Sequence, residues 1–559
     1  MRRAVPLLTL LAWLAVLPLA SAQDGAGEGE ESAAAGEGSE SESPGETADE
    51  SGADAESDPA GEPEAESSGG DSEAAGEGDP ESDAAPSGIS LSEMRSDAED
   101  VPLWQRGISL IGLGVMVGLA WLLSIRRDRF PWRIVAWGIG LQLTFGVLVL
   151  KTSAGLAFFS FLNDVVTQLL EFTNVGSRFL FDDYLDNEFT VALNVLPTII
   201  FFSSLMAVLY HLGVMQWLVR GVAWVMQRTL HTSGAETLSA AANIFVGQTE
   251  APLVVKPFVD KMTRSELMAI MTGGFATVAG GVLAAYVGML HEMFPDIAGH
   301  LIAANVMSAP ASLLIAKVIV PETEVSQTAG SLELTVERPH ANVIDAAAGG
   351  AGEGMKLALN VGAMLLAFLA LVAMLNYIVE LPTLWYNRAV WADVLAALSA
   401  ANAPVPDGCA APGGAAAYQA CIDGVVHAGT VSGDFVSWTP WSMQRVLGYL
   451  FWPIAFVMGV PVDDCAAVGA LLGEKLILNE FVAYLHLAEG MAELSSRATI
   501  ITTYALCGFA NLGSIAIQIG GIGGIAPKRR ADLARLGMRA MLGGTLAAFM
   551  TACVAGVLV

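Results

Sequence analysis

The chain has 559 residues, of which 53% are hydrophobic and only 15% charged, and its mean hydropathy is +0.54. That composition excludes a water-soluble globular core and marks a protein that crosses a lipid bilayer several times. The formal net charge of −30 belongs mainly to one segment, because residues 23–100 hold 26 acidic side chains against a single basic one, Arg95. The remainder is close to balanced and offers no basic field for nucleic acid.

Residues 1–22 begin with Arg2 and Arg3, continue apolar, and end Ala20-Ser21-Ala22. This is the pattern of a secretory signal peptide with a small-residue cleavage site; an uncleaved anchor is the alternative, and either one exports the residues after it. Residues 23–101 are rich in Gly, Ser, Ala, Glu and Asp, with few side chains large enough to bury. They read as a disordered acidic tail.

Apolar runs suited to spanning helices, which need about 20 residues, fall at 108–125, 134–150, 191–209, 267–290, 301–320, 357–378, 500–519 and 538–559. Arg126, Arg127, Arg129 and Arg133 place the first inter-span loop in the cytoplasm, and Lys528, Arg529, Arg530, Arg535 and Arg539 do the same for the last. Both termini then lie outside. Residues 155–188 mix apolar and acidic residues at helical spacing and read as an interfacial helix on the outer face. Residues 217–232, with Arg220 and Arg228, read as its basic counterpart inside. Residues 382–439 read as a loose outer insertion holding Cys409 and Cys421, a pair that spacing leaves open between a disulfide and two thiols. Cys465, Cys507 and Cys553 sit in apolar surroundings as small core residues.

Two stretches are too short to cross and have polar centres. The first, 241–260, carries Gly247-Gln248-Thr249-Glu250-Ala251-Pro252, and the second, 469–484, carries Asn479-Glu480. Both read as re-entrant hairpins. Each precedes a helix with a matching kink, Gly274-Phe275-Ala276-Thr277 in one half and Gly508-Phe509-Ala510-Asn511 in the other. The charge rule sends those two helices in opposite directions, which makes an inverted repeat with both tips near the midplane. The expected fold is therefore an all-α polytopic membrane protein: eight spans, two re-entrant hairpins in an inverted repeat, and interfacial helices. The corresponding segments are scaffold 102–232, first hairpin with spans four and five 233–320, cytoplasmic loop with span six 321–381, outer insertion 382–440, and second hairpin with spans seven and eight 441–559.

A carboxylate deep in apolar sequence costs about 2.5–3.5 kcal/mol or more, so Glu250 and Glu480 point to binding or ion movement; the rival is a carboxylate that only caps a broken helix end. Around them stand Gln248, Thr249, Asn479, Asn511 and Ser514, with Lys475 the one deep cation. Amides, hydroxyls and carboxylates suit a neutral, polyhydroxylated ligand. No nucleophile motif or cluster of metal-ligand spacing accompanies the glutamates, so an intramembrane enzyme using them as an acid/base pair has little to stand on.

Three motifs, NIFVGQTEAPL at 243–253, G-x-K-x-x-x-N-E-F-V-A at 473–483 and CGFANLGSIAIQIGG at 507–521, resemble the concentrative nucleoside transporters. The resemblance covers roughly residues 103–559 and implies a sodium-coupled nucleoside symporter, a homotrimer in which a scaffold holds a moving transport domain. It implies that Gln248, Thr249, Glu250 and Val282 hold the nucleobase and that Glu480, Asn511 and Ser514 hold the ribose. Sodium would lie among the Asn243 and Thr277 side chains and the carbonyls of Val246 and Val278. Gly247 is similar to members that accept purine and pyrimidine nucleosides. Proton coupling, with Glu250 or Glu480 as carrier, is the alternative. The signal peptide and acidic tail depart from the usual bacterial pattern.

Overall fold

A computed structural model describes residues 101–185, 190–291, 293–328, 340–431 and 435–559. The expected signal peptide, and the acidic tail up to residue 100, lie outside the described residues. Among the described residues the regular structure is helical throughout, with no strand.

The chain opens with α1 (Leu103–Leu122), α2 (Trp132–Lys151) and α3 (Ser153–Phe181). α4 (Leu196–Leu212) and α5 (Val214–Leu230) come after it, turned at Gly213, whose φ of +87° suits a residue without Cβ. The first helical hairpin is α6 (Gly234–Ala242), an irregular tip, a 3₁₀ turn over Ala251–Val255 and the single turn α7 (Lys256–Val259). Next come α8 (Arg264–Ala276), α9 (Gly280–Leu290) and α10 (Ile297–Ile319), and then the long α11 (Val343–Ala400) and α12 (Ala415–His427). α13 (Met443–Met458) leads to a second hairpin, α14 (Cys465–Ile477) and α15 (Glu480–Gly490). α16 (Ser496–Leu506), α17 (Leu512–Ile525) and α18 (Arg530–Leu558) complete the chain.

Burial separates a centre from a periphery. The most apolar windows of α8–α9, α10 and the segment ending in α18 are 89% buried, against 11–33% for α1, α2, α3, α4 with its preceding turn, and α11. The outer helices turn large apolar side chains outward, among them Trp104, Trp137, Phe179 and Leu366. An apolar outer face is what a lipid-facing helix requires.

Both hairpin bases are tied in by buried charge. Ser233 and Glu236 form a capping box at the start of α6, and Lys317 of α10 meets Glu236 at 2.7 Å, both almost fully buried. The Arg497 guanidinium, at the start of α16, donates to the carbonyls of Gly459 at 2.9 Å and Gly556 at 2.7 Å. Such groups are costly to bury without partners; Lys317 meets a carboxylate, and Arg497 meets two backbone carbonyls.

Three expectations change. Eight helical segments are long and apolar enough to cross, but they are not the eight read from sequence. Residues 500–519, read from sequence as a spanning helix with a kink, do break at 507–511, but the two pieces, α16 and α17 with 11 and 14 residues, are each too short to count among the eight. α3, read as interfacial, has 29 residues and is long and apolar enough by composition. Finally, the insertion is not loose at its start. α11 runs through Pro382 to Ala400, 58 residues or about 87 Å. Beyond it Cys409 and Cys421 are joined in a disulfide, within a small cluster of Trp391, Val394, Leu398, Ile422 and Val425.

Candidate functional site

The second tip is the more ordered. Asn479 stands in extended backbone as the N-cap of α15, its Oδ1 accepting from the Val482 N–H at 2.9 Å. Capping therefore falls to Asn479, which frees the Glu480 side chain. Its two oxygens accept from the Tyr286 hydroxyl of α9 at 3.0 Å and from Asn511 Nδ2 at 3.0 Å. Asn511 is the N-cap of α17 and its Oδ1 accepts from the Ser514 N–H at 2.8 Å. Glu480, Asn511 and Ser514 are thus brought together in the buried interior. Val282 lies one turn before Tyr286 on α9 and is also buried.

At the first tip Gln248 is buried, its Oε1 accepting from Gln518 Nε2 of α17 at 3.1 Å. Thr249 packs its methyl against Gly521, where a Cβ would come within 2.7 Å. Glu250 is exposed at the surface of the tip and accepts from the Thr249 hydroxyl at 3.4 Å. Gly247 leaves the room for its carboxylate, since a Cβ there would lie 2.3 Å from Glu250 Oε2. The two tips are joined through α17. Asn511, Ser514, Gln518 and Gly521, spaced 3, 4 and 3 residues, share one face of that helix.

The helix breaks meet. The Phe509 N–H donates to the Thr277 carbonyl at 3.3 Å, and a Cβ on Gly508 would lie 2.8 Å from the Phe275 carbonyl oxygen. Gly508 has φ +138°, a conformation open to glycine. Asn305 of α10 clamps the first break: its amide accepts from the Val278 N–H at 2.9 Å and donates to the carbonyls of Val278 at 2.7 Å and Ile244 at 3.1 Å. Asn243 lies beside this break, fully buried, and neither its Oδ1 nor its Nδ2 has a partner among the described residues. Thr277 donates to the Gly273 carbonyl at 3.0 Å, and a Cβ on Gly273 would be 3.1 Å from Asn243 Nδ2. The first tip is stitched to the same place by the Gly280 N–H donating to the Phe245 carbonyl at 3.2 Å.

The chain matches three family models: "Na+ dependent nucleoside transporter C-terminus" over residues 300–402 and 414–556, its N-terminus over 111–184, and "Nucleoside recognition" over 192–293. It is 41% identical over 455 residues to the uncharacterized transporter YutK of Bacillus subtilis, covering 80% of this chain and 98% of that protein. The chain belongs to the concentrative nucleoside transporter family. Mouse sodium/nucleoside cotransporter 1 is 39% identical over 81% of this chain, which spans only 63% of that longer protein. Among solved structures, CNTnw in an inward-facing substrate-bound state superposes with a TM-score of 0.66 at 40% identity, covering 81% of this chain and 97% of that one. A CNTnw variant in an outward-facing state gives 0.67 at 40% identity, over 82% and 98%.

Membership in this family makes the protein a multi-pass membrane transporter of the nucleoside class. Three residues that position the site escaped sequence reading: Tyr286, Asn305 and Gln518. Each is a buried polar group in a mainly apolar helix, a signal worth a functional hypothesis in a membrane chain.

Proposed function

We propose that this protein is a secondary active symporter that carries nucleosides inward across the inner membrane by alternating access, coupled to sodium. The observation that carries the substrate assignment is the shared face of α17. Asn511 meets one tip and Gln518 the other, and seven residues of helix separate them by about 10 Å. That separation suits a molecule with a hydroxylated ring at one end and a heterocycle at the other. At the sugar end Glu480, Asn511 and Ser514 would hold vicinal hydroxyls, because a carboxylate accepts two hydrogen bonds that a hydrated exterior offers less strongly. At the base end Gln248, Thr249 and Glu250 would read heteroatoms, with Val282 against the ring.

Sodium is favoured over a proton by the donor set beside the first break. The buried, partnerless Asn243 Oδ1, the Thr277 hydroxyl and the carbonyls of Val246 and Val278 are hard oxygen donors, which suit a small alkali cation. Moving one cation down about 100 mV supplies roughly 2.3 kcal/mol, enough for about fifty-fold accumulation. The mouse relative is itself named a sodium/nucleoside cotransporter.

In this reading the hairpins α6–α7 and α14–α15 are re-entrant, and with the breaks they form the moving domain of an inverted repeat. The remaining helices are the scaffold, assembled as a homotrimer, with an exported signal-directed N-terminal tail and an outer C-terminus. Uptake of radiolabelled uridine and adenosine into proteoliposomes, with sodium or choline outside, tests the reading. Accumulation above equilibrium with sodium alone is expected. Equal accumulation with choline under a pH gradient would move the coupling to protons, and no accumulation under either would end the symporter assignment.

A further inference from the structure

Gln518 is an expensive residue for its place. It is fully buried on the apolar helix α17, and its Oε1 meets no donor among the described residues. Its Nε2 uses both hydrogens, one toward the Met271 carbonyl at 3.0 Å and one toward Gln248 Oε1 at 3.1 Å. Room for the pair comes from Gly274, where a Cβ would lie 2.7 Å from Gln518 Nε2 and 2.8 Å from the Gln248 Cβ. A leucine at 518 would fill the same space without an orphaned oxygen.

We infer that Gln518 is a specificity-determining positioning residue that fixes which end of the Gln248 amide faces the substrate. The fixed point is a group that cannot turn. A backbone carbonyl only accepts, so the Met271 oxygen requires the N–H end of the Gln518 amide. Reversing that amide would set its oxygen against Met271. With its nitrogen held there, Gln518 offers Gln248 a donor, and Gln248 must answer with its oxygen. The Gln248 Nε2 is left over from that contact, since only Oε1 meets Gln518. An unconstrained glutamine reads a base edge in either sense, donor or acceptor; this one presents N–H. The site then favours bases whose facing edge accepts, the keto edge of uridine or inosine, over those whose edge donates, the amino edge of cytidine or adenosine. The preference is set by a residue that does not itself reach the base.

This inference rests on the assignment of Gln248 to the base, and the test separates the two. Competition by uridine, inosine, cytidine and adenosine against radiolabelled uridine uptake gives a keto-to-amino selectivity ratio. In Gln518→Leu the freed amide can present its carbonyl, and the ratio should fall about fivefold, the worth of one hydrogen bond of changed sense. In a Gln248→Ala background the same substitution should leave the ratio unmoved, because the effect passes through Gln248. Should Gln518→Leu fail to reach the membrane, Gln518→Met, similar in length and without a donor, takes its place. An unchanged ratio in a variant that still accumulates uridine overturns the inference. So does a shift of equal size in the Gln248→Ala background, which would mean simple repacking. If Gln248→Ala alone leaves uptake and ratio as in the wild type, the base assignment itself falls, and this inference with it.

Discussion

The two hairpins and the broken helices beyond them share a frame and use it differently. Gly274 and Gly508 open the same Gly-Phe-Ala block, yet Gly274 sits inside α8 and clears space for an amide pair, whereas Gly508 lies in the break itself at φ +138° against the other break. Asn243 and Asn479 both stand at a hairpin tip. Asn479 caps α15, while the Asn243 amide is buried without a partner. Glu480 is buried with both oxygens held by side chains of other helices; Glu250 is exposed and its side-chain hydrogen bond is local, to its neighbour Thr249. One half is pre-organised and the other has bonding capacity to spare. Two similar sequence blocks supply similar positions, and the chemistry at each is set by which partners pack against it. A pre-organised group discriminates, because its geometry is fixed before the ligand arrives; a partnerless one binds, because it is costly while empty.

The largest effect should come from the ordered half. Glu480→Gln keeps the shape but loses the charge and one acceptor, and kcat/KM for uridine should fall about 100-fold. Thermal stability in detergent should change little, since the remaining oxygen can accept from Asn511 Nδ2 while the new amide N–H donates to the Tyr286 hydroxyl oxygen, which can accept as well as donate. Uptake of 2′,3′-dideoxyuridine, which lacks the hydroxyls, should be slow in the wild type and nearly insensitive to the substitution. Normal uridine kinetics in the variant would erase the distinction between the tips.

The aligned glycines give the next contrast. Gly508→Ala forces a Cβ into a positive-φ position and toward the Phe275 carbonyl, which should cost about 2–4 kcal/mol of stability. Gly274→Ala keeps an ordinary helical backbone; the Gln518 amide end can yield to the new Cβ, whereas the Gln248 Cβ, 2.8 Å away, can move only with the tip that carries it. Its stability loss should be smaller, with the larger change in substrate preference. Equal melting shifts for the two would show the breaks to be equivalent after all.

A third contrast uses the asparagines. Asn243→Ala should raise the sodium concentration for half-maximal uptake about tenfold, the loss of roughly one ligand's worth of binding, and should leave stability near the wild type because the amide has no protein partner to lose. Asn479→Ala should do the reverse, costing about 1 kcal/mol as a lost cap while the sodium titration holds. A sodium titration moved by Asn479→Ala and unmoved by Asn243→Ala would invert the assignment of the ion to the first half.

These asymmetries bear on how much of the molecule is legible in its sequence. Both tips are legible because a carboxylate in apolar sequence is conspicuous and a proline or glycine beside it breaks a helix by known means. The breaks are legible as kinks in a repeated block. Their extent is not: residues 500–519 have the hydropathy of a single span, and hydropathy does not register a backbone that departs from helix inside protein. Pro382 misleads in the other direction. Proline forfeits one helical hydrogen bond, and the packing of α11 along α4 on one side, and of its far end on α12, carries the helix through. Tyr286, Asn305 and Gln518 stay hidden because their partners are remote in sequence, as far as 270 residues from Gln248 to Gln518. Periodicity assigns a residue to a face; it does not say which face of another helix lies opposite.

The smallest effect is expected from the insertion, which belongs to neither tip. The Cys409–Cys421 bond closes a short loop over a cluster of its own, Trp391, Val394 and Leu398 from the end of α11 against Ile422 and Val425 from α12. A crosslink of this span constrains the unfolded chain by about 3 kcal/mol, but that stabilisation acts on the local cluster, since its residues pack on one another and not on the central helices. Reduction by an impermeant phosphine, or Cys409→Ser with Cys421→Ser, should therefore loosen α12, seen as faster proteolysis within residues 401–431, and leave uridine accumulation within about twofold of the untreated protein. A large loss of transport on reduction would tie the insertion to the two hairpins, and the division of labour between the two tips would then have to include a third party.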